Sequence, residues 1–570
     1  MKAKAVYLFL FFTSIVFGQK DEVIVVTHGT RKIEPAYRMS ALPRVIDTVI
    51  STNVVQYPLL VLKHPTKIEL EPIKAATVNT EQLLDQLYNS YAKLGIGSKL
   101  MPLGELYFNS KWSSKYLFGI HARHLSSFGN FKNYAPAQFD RTKINLNGAI
   151  MQSKFTLKSG IHYNNQGLHY YGWKIPTDSV DRKENAQRYQ DAGAEFSFSS
   201  HKADSATLNY NIGLDYNYFT TQKPLLDSIN DKKAQENNFG LSFAAKYLAG
   251  KESFNIDFGL RYNGYKYGVP GDTTNSTIDS AYALNNTLIS LKPSITTHLQ
   301  ENRFKAQIGV DLTVDAREKA KFFIFPLVEL KYSLFNDIFI PYLGLRGGIQ
   351  QVTLKSIANE NEFILPNQQL RNENTAIDFY GGFKGSLSKR IYFNLNASFA
   401  RVKDKFLFIT DTTYSVGNKF DVIYDTLNLT KFEASVAYQL NEKLKIDGIG
   451  RYYSYALLNN THAWNLPQWQ AIVRGNYNLY EKFLFNLDLN LEGGRKALVY
   501  AMEEGVTSEN NQFAKTLGFI ADVNLGLEYR YNKRISAFLQ FNNIASQSYY
   551  RWYNYPVQRF QIMGGLTARF

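Results

Sequence analysis

Residues 208–218 of the 570-residue chain read LNYNIGLDYNY, so that apolar or aromatic residues alternate with small or polar ones. The same alternation recurs at 254–262, FNIDFGLRY, and at 483–492, FLFNLDLNLE. Side chains of a β-strand point alternately to its two faces, so each stretch predicts a strand with one apolar and one polar face. Their length, about 9–11 residues, is what a tilted strand needs to cross a membrane.

Two sets of side chains follow from this alternation. The apolar positions are expected to face lipid: Leu208, Tyr210, Ile212, Phe254, Ile256, Phe258, Phe485, Leu487 and Leu489. The polar positions between them are expected to face a lumen: Asn209, Asp257 and Asp488. The composition agrees, because 40 Phe and 39 Tyr accompany a mean hydropathy of only −0.29. Abundant aromatic residues without long apolar runs are typical of outer-membrane barrels.

Connections between the strands are predicted to alternate in length. Short turns are expected near Ser113, Ser153, Asp204, Gly250, Glu301, Asn336, Ser388, Asn441, Glu481 and Asn532. Longer connections are expected at about 126–140, 164–187, 221–235, 268–282, 354–372, 403–429 and 501–514, and three further short ones near Glu318, Asn460 and Arg551. Short periplasmic turns and long extracellular loops characterise outer-membrane barrels. The sequence therefore predicts an all-β fold, a large antiparallel transmembrane β-barrel of about 22 strands over residues 88–570.

The first 18 residues have the pattern of a secretory signal peptide. Lys2 and Lys4 precede an apolar run at 5–17, which is too short to span a bilayer as a helix. Export with this signal is expected to end in the outer membrane, where the wall contacts outer-membrane lipids and lipopolysaccharide. The formal net charge of +15 suits anionic headgroups, and export argues against nucleic acid as a partner.

Several classes of functional site are excluded or disfavoured by the residues themselves. The chain has no cysteine, which excludes a disulfide framework, a thiolate metal site and a cysteine nucleophile. No G-x-S-x-G or H-E-x-x-H motif occurs, so we expect no enzyme and no cofactor. His121 and His124 form an H-x-x-H pair, but a spacing of three places the rings on opposite faces of a strand. A metal site is therefore not expected.

An aromatic patch in the predicted 164–187 connection has two interpretations. Tyr170, Tyr171 and Trp173, with His169 beside them, could form a ligand platform. They could equally belong to the aromatic girdle that such barrels place at the membrane interface. The sequence leaves both interpretations open and favours the girdle.

Two segments carry a family resemblance. Residues 87–97, LYNSYAKLGIG, run into GELYFNS at 104–110 and HARHLSSFG at 121–129. This opening resembles the TonB-dependent-receptor-like outer-membrane β-barrels of Bacteroidota, a likeness that runs from about residue 87 to Phe570. Receptors of that family carry a globular plug before a 22-stranded barrel, whereas few residues here precede the first strand. The resemblance thus implies a reduced or absent plug, and it carries over no ligand-binding residue.

Residues 19–87 are predicted to form an extended N-terminal segment rather than a domain of their own. They would serve as a reduced plug or as a periplasmic arm. Within them, Glu22, Val23, Ile24, Val25, Val26 and Thr27 are similar to a TonB box, a peptide that binds its partner by strand addition. At the other end, the alternating stretch 560–570 terminates in Phe570, which resembles the signal recognised by the outer-membrane assembly machinery.

Two functions remain open from the sequence. The first is passage or uptake of an unknown solute across the outer membrane, with TonB as a potential partner. The second is a non-transporting barrel that scaffolds an outer-membrane protein complex with lipoproteins. The sequence does not name the solute.

Overall fold

A computed structural model describes residues 88–570 apart from 112, 174–181, 184, 201–207, 224–232, 269–280, 301–302, 442 and 501–511. The signal peptide, the N-terminal segment 19–87 and the TonB-box-like residues Glu22 to Thr27 lie outside the described residues. Residues 88–570 form one compact unit.

The described residues are almost entirely β-strand. In chain order the strands are β1 (Ser90–Gly97), β2 (Met101–Asn109), β3 (Tyr116–Ser127), β4 (Phe139–Met151), β5 (Phe155–His169), β6 (Ala186–Ser200), β7 (Asn209–Thr221), β8 (Gln235–Ala249), β9 (Glu252–Gly268), β10 (Ala281–Leu299), β11 (Phe304–Ala316), β12 (Ala320–Tyr332), β13 (Ile340–Gln350), β14 (Glu373–Ser388), β15 (Ile391–Thr410), β16 (Phe420–Asn441), β17 (Leu444–Leu457), β18 (Trp469–Leu479), β19 (Phe483–Gly493), β20 (Lys496–Tyr500), β21 (Gln512–Thr516), β22 (Ile520–Arg530), β23 (Ile535–Asn542), β24 (Tyr550–Trp552), β25 (Tyr555–Pro556) and β26 (Gln561–Arg569). A seven-residue helix, α1 (Leu354–Glu360), lies between β13 and β14, and no helix in the described part is long and apolar enough to cross a membrane.

A single closed sheet forms the wall. Twenty-two strands, all except the two small hairpins β20–β21 and β24–β25, pair antiparallel with their neighbours. The sheet closes because β1 pairs with both β2 and β26. At the seam Ser90 N donates to Phe570 O over 2.8 Å, and Phe570 N donates to Ser90 O over 3.1 Å. The predicted fold class and the predicted number of strands are confirmed.

The two ends of the barrel differ, as the sequence predicts. At the end called here the short-turn end, connections such as 152–154, 250–251 and 389–390 are two or three residues long. The opposite, long-loop end carries 128–138, 351–372 and the other extended connections.

Three predicted connections at the long-loop end are wrong in length. The connections near Asn460 and Arg551 are not short: they span 458–468 and 543–560, and the second contains β24 and β25. Conversely, most of 403–429 is strand, because β15 and β16 continue to Thr410 and from Phe420. A register shift between Val402 and Lys405, with Asp404 at φ 53°, breaks the alternation there. Such a bulge imitates a loop in the sequence although the ladder continues beyond it.

Apolar and polar residues lie on the faces that the alternation predicts. Outward positions remain exposed although they are apolar: Tyr216, Ile256 and Leu487 are 46%, 48% and 40% exposed. Polar residues of the same strands line the lumen, where Arg474 lies 3.7 Å from Asp488 and Arg261 2.7 Å from Asp215. An exterior of this kind matches hydrocarbon, and the interior matches water.

A pair of neighbouring substitutions tests this assignment of faces. Leu487→Arg places a charge in lipid near the middle of β19, and should lower the free energy of unfolding by about 2–4 kcal/mol. Asn486, the preceding residue of β19, faces the lumen. Asn486→Arg should change the free energy of unfolding by less than about 1 kcal/mol, because the guanidinium stays in water. Urea unfolding of the barrel in lipid vesicles, followed by tryptophan fluorescence, measures both. Equal losses would show that the faces are assigned wrongly.

Candidate functional site

The connection between β13 and β14, residues 351–372, folds into the barrel and is called here the lumenal loop. Loops normally run over a protein surface because their backbone polar groups need water. In this one, Leu354, Ile357, Ile364 and Leu365 are at most 1% exposed. Leu354, Ile357 and Ile364 belong to a cluster that gathers residues from β5 to β7, from β9 and β10, and from β15 and β16. The loop therefore fills the lumen instead of extending from its rim.

Helix α1 begins at a double cap. Ser356 N donates to Thr353 Oγ1 over 3.0 Å, and Thr353 N donates to Ser356 Oγ over 2.9 Å. The first amides of a helix have no partner within it. Here the barrel wall supplies one: the carboxylate of Glu236 on β8 accepts Leu354 N over 2.8 Å and Lys355 N over 3.0 Å. Glu236 is fully buried, so these amides and Asn263 replace water around its charge.

A second contact holds the same end of the helix. Lys355 Nζ lies 2.8 Å from Asp191 Oδ1 on β6. Asp191 also accepts hydrogen bonds from Asn164 Nδ2, over 2.8 Å, and from Asn217 Nδ2. The start of the loop is thus attached to a row of polar side chains on β5 to β9.

The tip of the loop reaches almost the opposite wall. Glu362 Oε2 accepts Arg141 Nη2 over 2.7 Å and is also contacted by Gln166 Nε2. Arg141 lies on β4, nine strands from β13 in the closed sheet of 22. Tyr189 Oη donates to the Glu362 carbonyl over 2.9 Å. The loop therefore crosses the lumen close to its full width.

The returning half of the loop pairs with backbone. Leu365 N donates to Phe420 O and Phe420 N donates to Phe363 O, each over 2.9 Å. Tyr265 Oη donates to Pro366 O, and Arg317 Nη1 to Leu370 O over 3.2 Å. These bonds satisfy carbonyl and amide groups that the lumenal position removes from water.

Aromatic rings pack the tip against the loop that contains β24 and β25. Phe363 stacks on Tyr555 with centroids 3.8 Å apart, and Tyr171 meets Tyr555 edge-on at 4.8 Å. Tyr170 is 3% exposed and donates its hydroxyl to Ile364 O over 3.0 Å. Burial raises the pKa of Tyr170 to about 12, which keeps that hydroxyl a donor.

These contacts correct the girdle interpretation of the aromatic patch. Tyr170 and Tyr171 pack against the lumenal loop instead of lying at the membrane interface, and Tyr171 and His169 border a cavity at the tip of that loop. His169 makes a hydrogen bond to the backbone, with Nδ1 2.6 Å from the carbonyl oxygen of Gln138. The sequence alone did not identify Glu236, Asp191, Lys355 or Glu362. One sequence signal was present: the apolar run 363–365 in a connection is unusual for a loop in water.

Two cavities flank the lumenal loop. The first, about 460 Å³, lies beside α1, and its wall includes five charged side chains among neutral polar ones: Asp215, Arg261, Lys292, Asp311 and Lys355. The second, about 420 Å³, lies at the tip of the loop beside Glu362 and Phe363. Its wall is rich in amides: Gln138, Asn524, Asn542, Asn543, Gln558 and Gln561. They are called here the wall cavity and the tip cavity.

The remaining candidate residues lie apart from the loop. His121 Nε2 contacts Glu105 Oε1 at 3.0 Å, while His124 Nδ1 lies 2.8 Å from Thr142 Oγ1, and the two rings are on opposite faces of β3. The described residues contain no group of three or more metal-binding side chains. Phe570 follows β26 with its side chain 64% exposed.

No protein-family model matches the chain, and no curated protein matches its sequence. Solved structures do match its fold. The ferripyoverdine receptor of the outer membrane of Pseudomonas aeruginosa superposes with a TM-score of 0.62 at 12% identity, over 85% of this chain and 72% of that one. The FrpB iron transporter from Neisseria meningitidis gives 0.62 at 9% identity, over 85% and 82%. The ferric-catecholate import receptor Fiu from E. coli gives 0.58 at 11% identity, over 85% and 82%.

The chain has the barrel fold of TonB-dependent receptors. These neighbours are receptors and transporters. Because their identity to the chain is only 9–12%, the likeness is one of fold alone. The lumenal loop and its bonds are therefore properties of this receptor-like barrel that have to be interpreted from its own residues.

Removing the carboxylate that caps α1 tests how the loop is held. In Glu236→Gln one acceptor of the two helix amides becomes a donor, which should raise amide hydrogen exchange of residues 353–360 by roughly 10- to 100-fold. Asp257→Asn, the same chemical change on the lumen face of β9 nearer the short-turn end, should leave that exchange unchanged. Hydrogen exchange followed by mass spectrometry measures both. Unchanged protection in Glu236→Gln would show that the cap does not hold the loop.

Proposed function

We propose that this barrel resides in the outer membrane and mediates the passage or uptake of a solute across it. The supporting observation is a lumen that is polar along its wall and is crossed by a loop whose two ends, at the start of α1 and at Glu362, are attached through hydrogen bonds and ion pairs. Each bond to an ionised group contributes about 1.5–3 kcal/mol net, because water can replace the partner on opening. A loop held by such bonds can act as a gate, because water can replace its hydrogen-bond partners on the wall when it opens.

The likeness of fold supports the same proposal from outside the molecule. Receptors and transporters that carry solutes through the outer membrane share this 22-stranded barrel. We propose for the chain a lipid-embedded wall that contacts lipopolysaccharide, and no catalytic role.

The N-terminal segment completes the proposal. Residues 1–18 would direct export, and 19–87 would act as a reduced plug or a periplasmic arm. Glu22 to Thr27 would bind TonB by strand addition. In this mode the peptide pairs through main-chain hydrogen bonds with an exposed sheet edge of its partner. Phe570 would mark the last strand for the outer-membrane assembly machinery.

The alternative is a scaffold that assembles an outer-membrane complex with lipoproteins and transports nothing. One observation favours it: α1 and the residues after it are as buried as a protein core, which suits a permanent closure. The two functions differ in whether the loop ever leaves the lumen.

Conductance in planar bilayers separates the contributions of the two segments. We expect four proteins to differ: the full mature chain, a chain without 22–80, a chain with 354–370 replaced by a Gly-Ser linker, and one with both changes. The doubly altered chain should form large, steady channels, because a 22-stranded lumen is too wide for its own side chains to fill. The full chain should be nearly silent.

Two results would contradict parts of the proposal, the first the closure of the lumen and the second passage itself. Strong conductance of the full chain, unchanged by either alteration, would show that neither segment closes the lumen. A full chain that never admits solute into liposomes, and that purifies in a fixed ratio with a lipoprotein, would establish the scaffold instead.

A further inference from the structure

Positive charge is concentrated in the ten connections between strands at the short-turn end. They are 110–115, 152–154, 201–208, 250–251, 300–303, 333–339, 389–390, 442–443, 480–482 and 531–534. By sequence these connections contain twelve Lys or Arg and five Asp or Glu, which gives them a net charge of +7. The whole chain has a net charge of +15, so nearly half of that charge lies in 41 of 570 residues. The Lys and Arg residues of the ten connections are called here the cationic rim.

The long-loop end does not have this concentration of charge. Its connections, including the lumenal loop and the two small hairpins, contain 18 Lys or Arg and 14 Asp or Glu in 144 residues, a net charge of +4. The net charge per residue is therefore about six times as large at the short-turn end. Residues 19–87 contain eight of each kind, so the N-terminal segment has no net negative charge to offer. The counter-charge of the cationic rim therefore comes from outside the chain.

Side chains of the cationic rim are available to an external anion. Six of them, on two arcs of the barrel, are exposed: Lys111, Lys115, Lys389, Arg390, Lys443 and Lys482. Among the residues that the structure describes, none of these six has a carboxylate partner. By contrast, Lys405 Nζ on the lumen face of β15 lies 2.9 Å from Glu373 Oε2. The six rim cations therefore have no ion pair to break when an anion approaches.

The same connections carry strongly exposed aromatic side chains. Phe335, Tyr480 and Tyr531 are 73%, 80% and 71% exposed. Tyr480 lies two residues before Lys482, and Tyr531 lies three residues before Arg534. Aromatic rings of membrane proteins gather at the boundary between hydrocarbon and headgroups, where one end of the side chain meets apolar groups and the other meets water. These rings indicate that the connections, most of which are only two to four residues long, lie at the level of the lipid headgroups.

The cationic rim extends around the barrel. Nine of the ten connections contain at least one Lys or Arg, and 333–339 is the exception. The strands that they join follow one another around the closed sheet, so the charges form a ring instead of a patch on one side. A partner that reaches every part of such a ring has to surround the barrel, and the lipids of one leaflet do so. Anionic headgroups attract Lys and Arg side chains that lie close to the membrane surface.

We propose that the cationic rim binds anionic glycerophospholipids, through the phosphate groups of headgroups such as phosphatidylglycerol, in the leaflet at the short-turn end. That leaflet is the periplasmic one in outer-membrane barrels. The inference rests on the proposed function only for the location in the membrane, and it does not require that a solute passes. A ring of such contacts holds the barrel at a fixed depth, because every connection that carries a cation then stays at the level of the phosphates.

Electron paramagnetic resonance of spin-labelled lipids tests the class of lipid, because lipids in contact with a protein are motionally restricted. The full mature chain is placed in phosphatidylcholine vesicles with a trace of spin-labelled phosphatidylglycerol or of spin-labelled phosphatidylcholine. Phosphatidylglycerol should associate with the barrel at least roughly twofold more strongly at low salt. In 1 M salt the two lipids should associate equally, because the Debye length falls to about 3 Å. Equal association at low salt, or a preference that salt does not reduce, overturns the proposal.

Two variants with six substitutions each test the location. One removes half of the twelve rim cations and should lose roughly half of the excess association of phosphatidylglycerol: Lys111→Gln, Lys115→Gln, Lys389→Gln, Arg390→Gln, Lys443→Gln and Lys482→Gln. The matched control removes six exposed cations from the long-loop end and should keep the preference: Lys99→Gln, Lys132→Gln, Lys233→Gln, Lys319→Gln, Lys515→Gln and Arg559→Gln. Resistance of each barrel to unfolding in SDS verifies the fold. Equal losses in the two folded variants, or a loss in the control alone, overturn the assignment to the rim.

An acidic protein is the other kind of partner that a cationic ring could bind, and polyglutamate serves as its probe. Salt-sensitive binding of polyglutamate to the barrel in detergent, together with no preference for phosphatidylglycerol in vesicles, overturns the proposal in favour of a protein. Solute entry into vesicles of phosphatidylcholine alone is measured separately. A barrel that admits no solute and retains its preference for phosphatidylglycerol contradicts passage and supports the cationic rim as a lipid-binding surface.

Discussion

Every backbone amide and carbonyl of a strand in lipid needs a partner within the protein, and the rest of this structure depends on that constraint. An open sheet leaves two unpaired edges, so β1 has to pair with β26 as well as with β2. Closure with 22 strands then determines the width of the lumen, which side chains alone cannot fill. The alternation of residues follows from the same closure, because one face meets hydrocarbon and the other meets water.

A wide lumen needs something that crosses it, and the lumenal loop does so with both kinds of interaction. Its apolar residues make a core with rings from the wall, and its polar groups take partners from Glu236, Asp191 and Arg141. The partners come from strands far apart in the sheet. The loop consequently links opposite walls, and any opening has to break bonds at the start of α1 and at Glu362 together.

The strands of the wall could be predicted from the sequence because each one shows the alternating pattern within its own few residues. Leu487 and Asp488 differ in polarity because adjacent residues of a strand face opposite sides, one lipid and the other the lumen. The bulge at Asp404 was missed, since a polar pair inside a strand looks like a turn. The connections near Asn460 and Arg551 were predicted too short, and the second contains the β24–β25 hairpin. The site was missed for a different reason. Glu236 and Leu354 meet across more than a hundred residues, and the purpose of Tyr170 and Tyr171 becomes visible only when the loop lies beside them.

The central claim is that the lumenal loop governs passage by leaving the wall, and a reversible tether tests it most directly. The chain has no cysteine, so Gln166→Cys with Glu362→Cys, at two side chains in contact, gives one defined thiol pair. Voltage-driven channel openings in planar bilayers are recorded before and after joining these thiols with a short reducible cross-linker, and again after its reduction. The account predicts openings that vanish on cross-linking and return on reduction. Openings that persist with the cross-link verified as intact, or that never occur in the untethered chain, would contradict it.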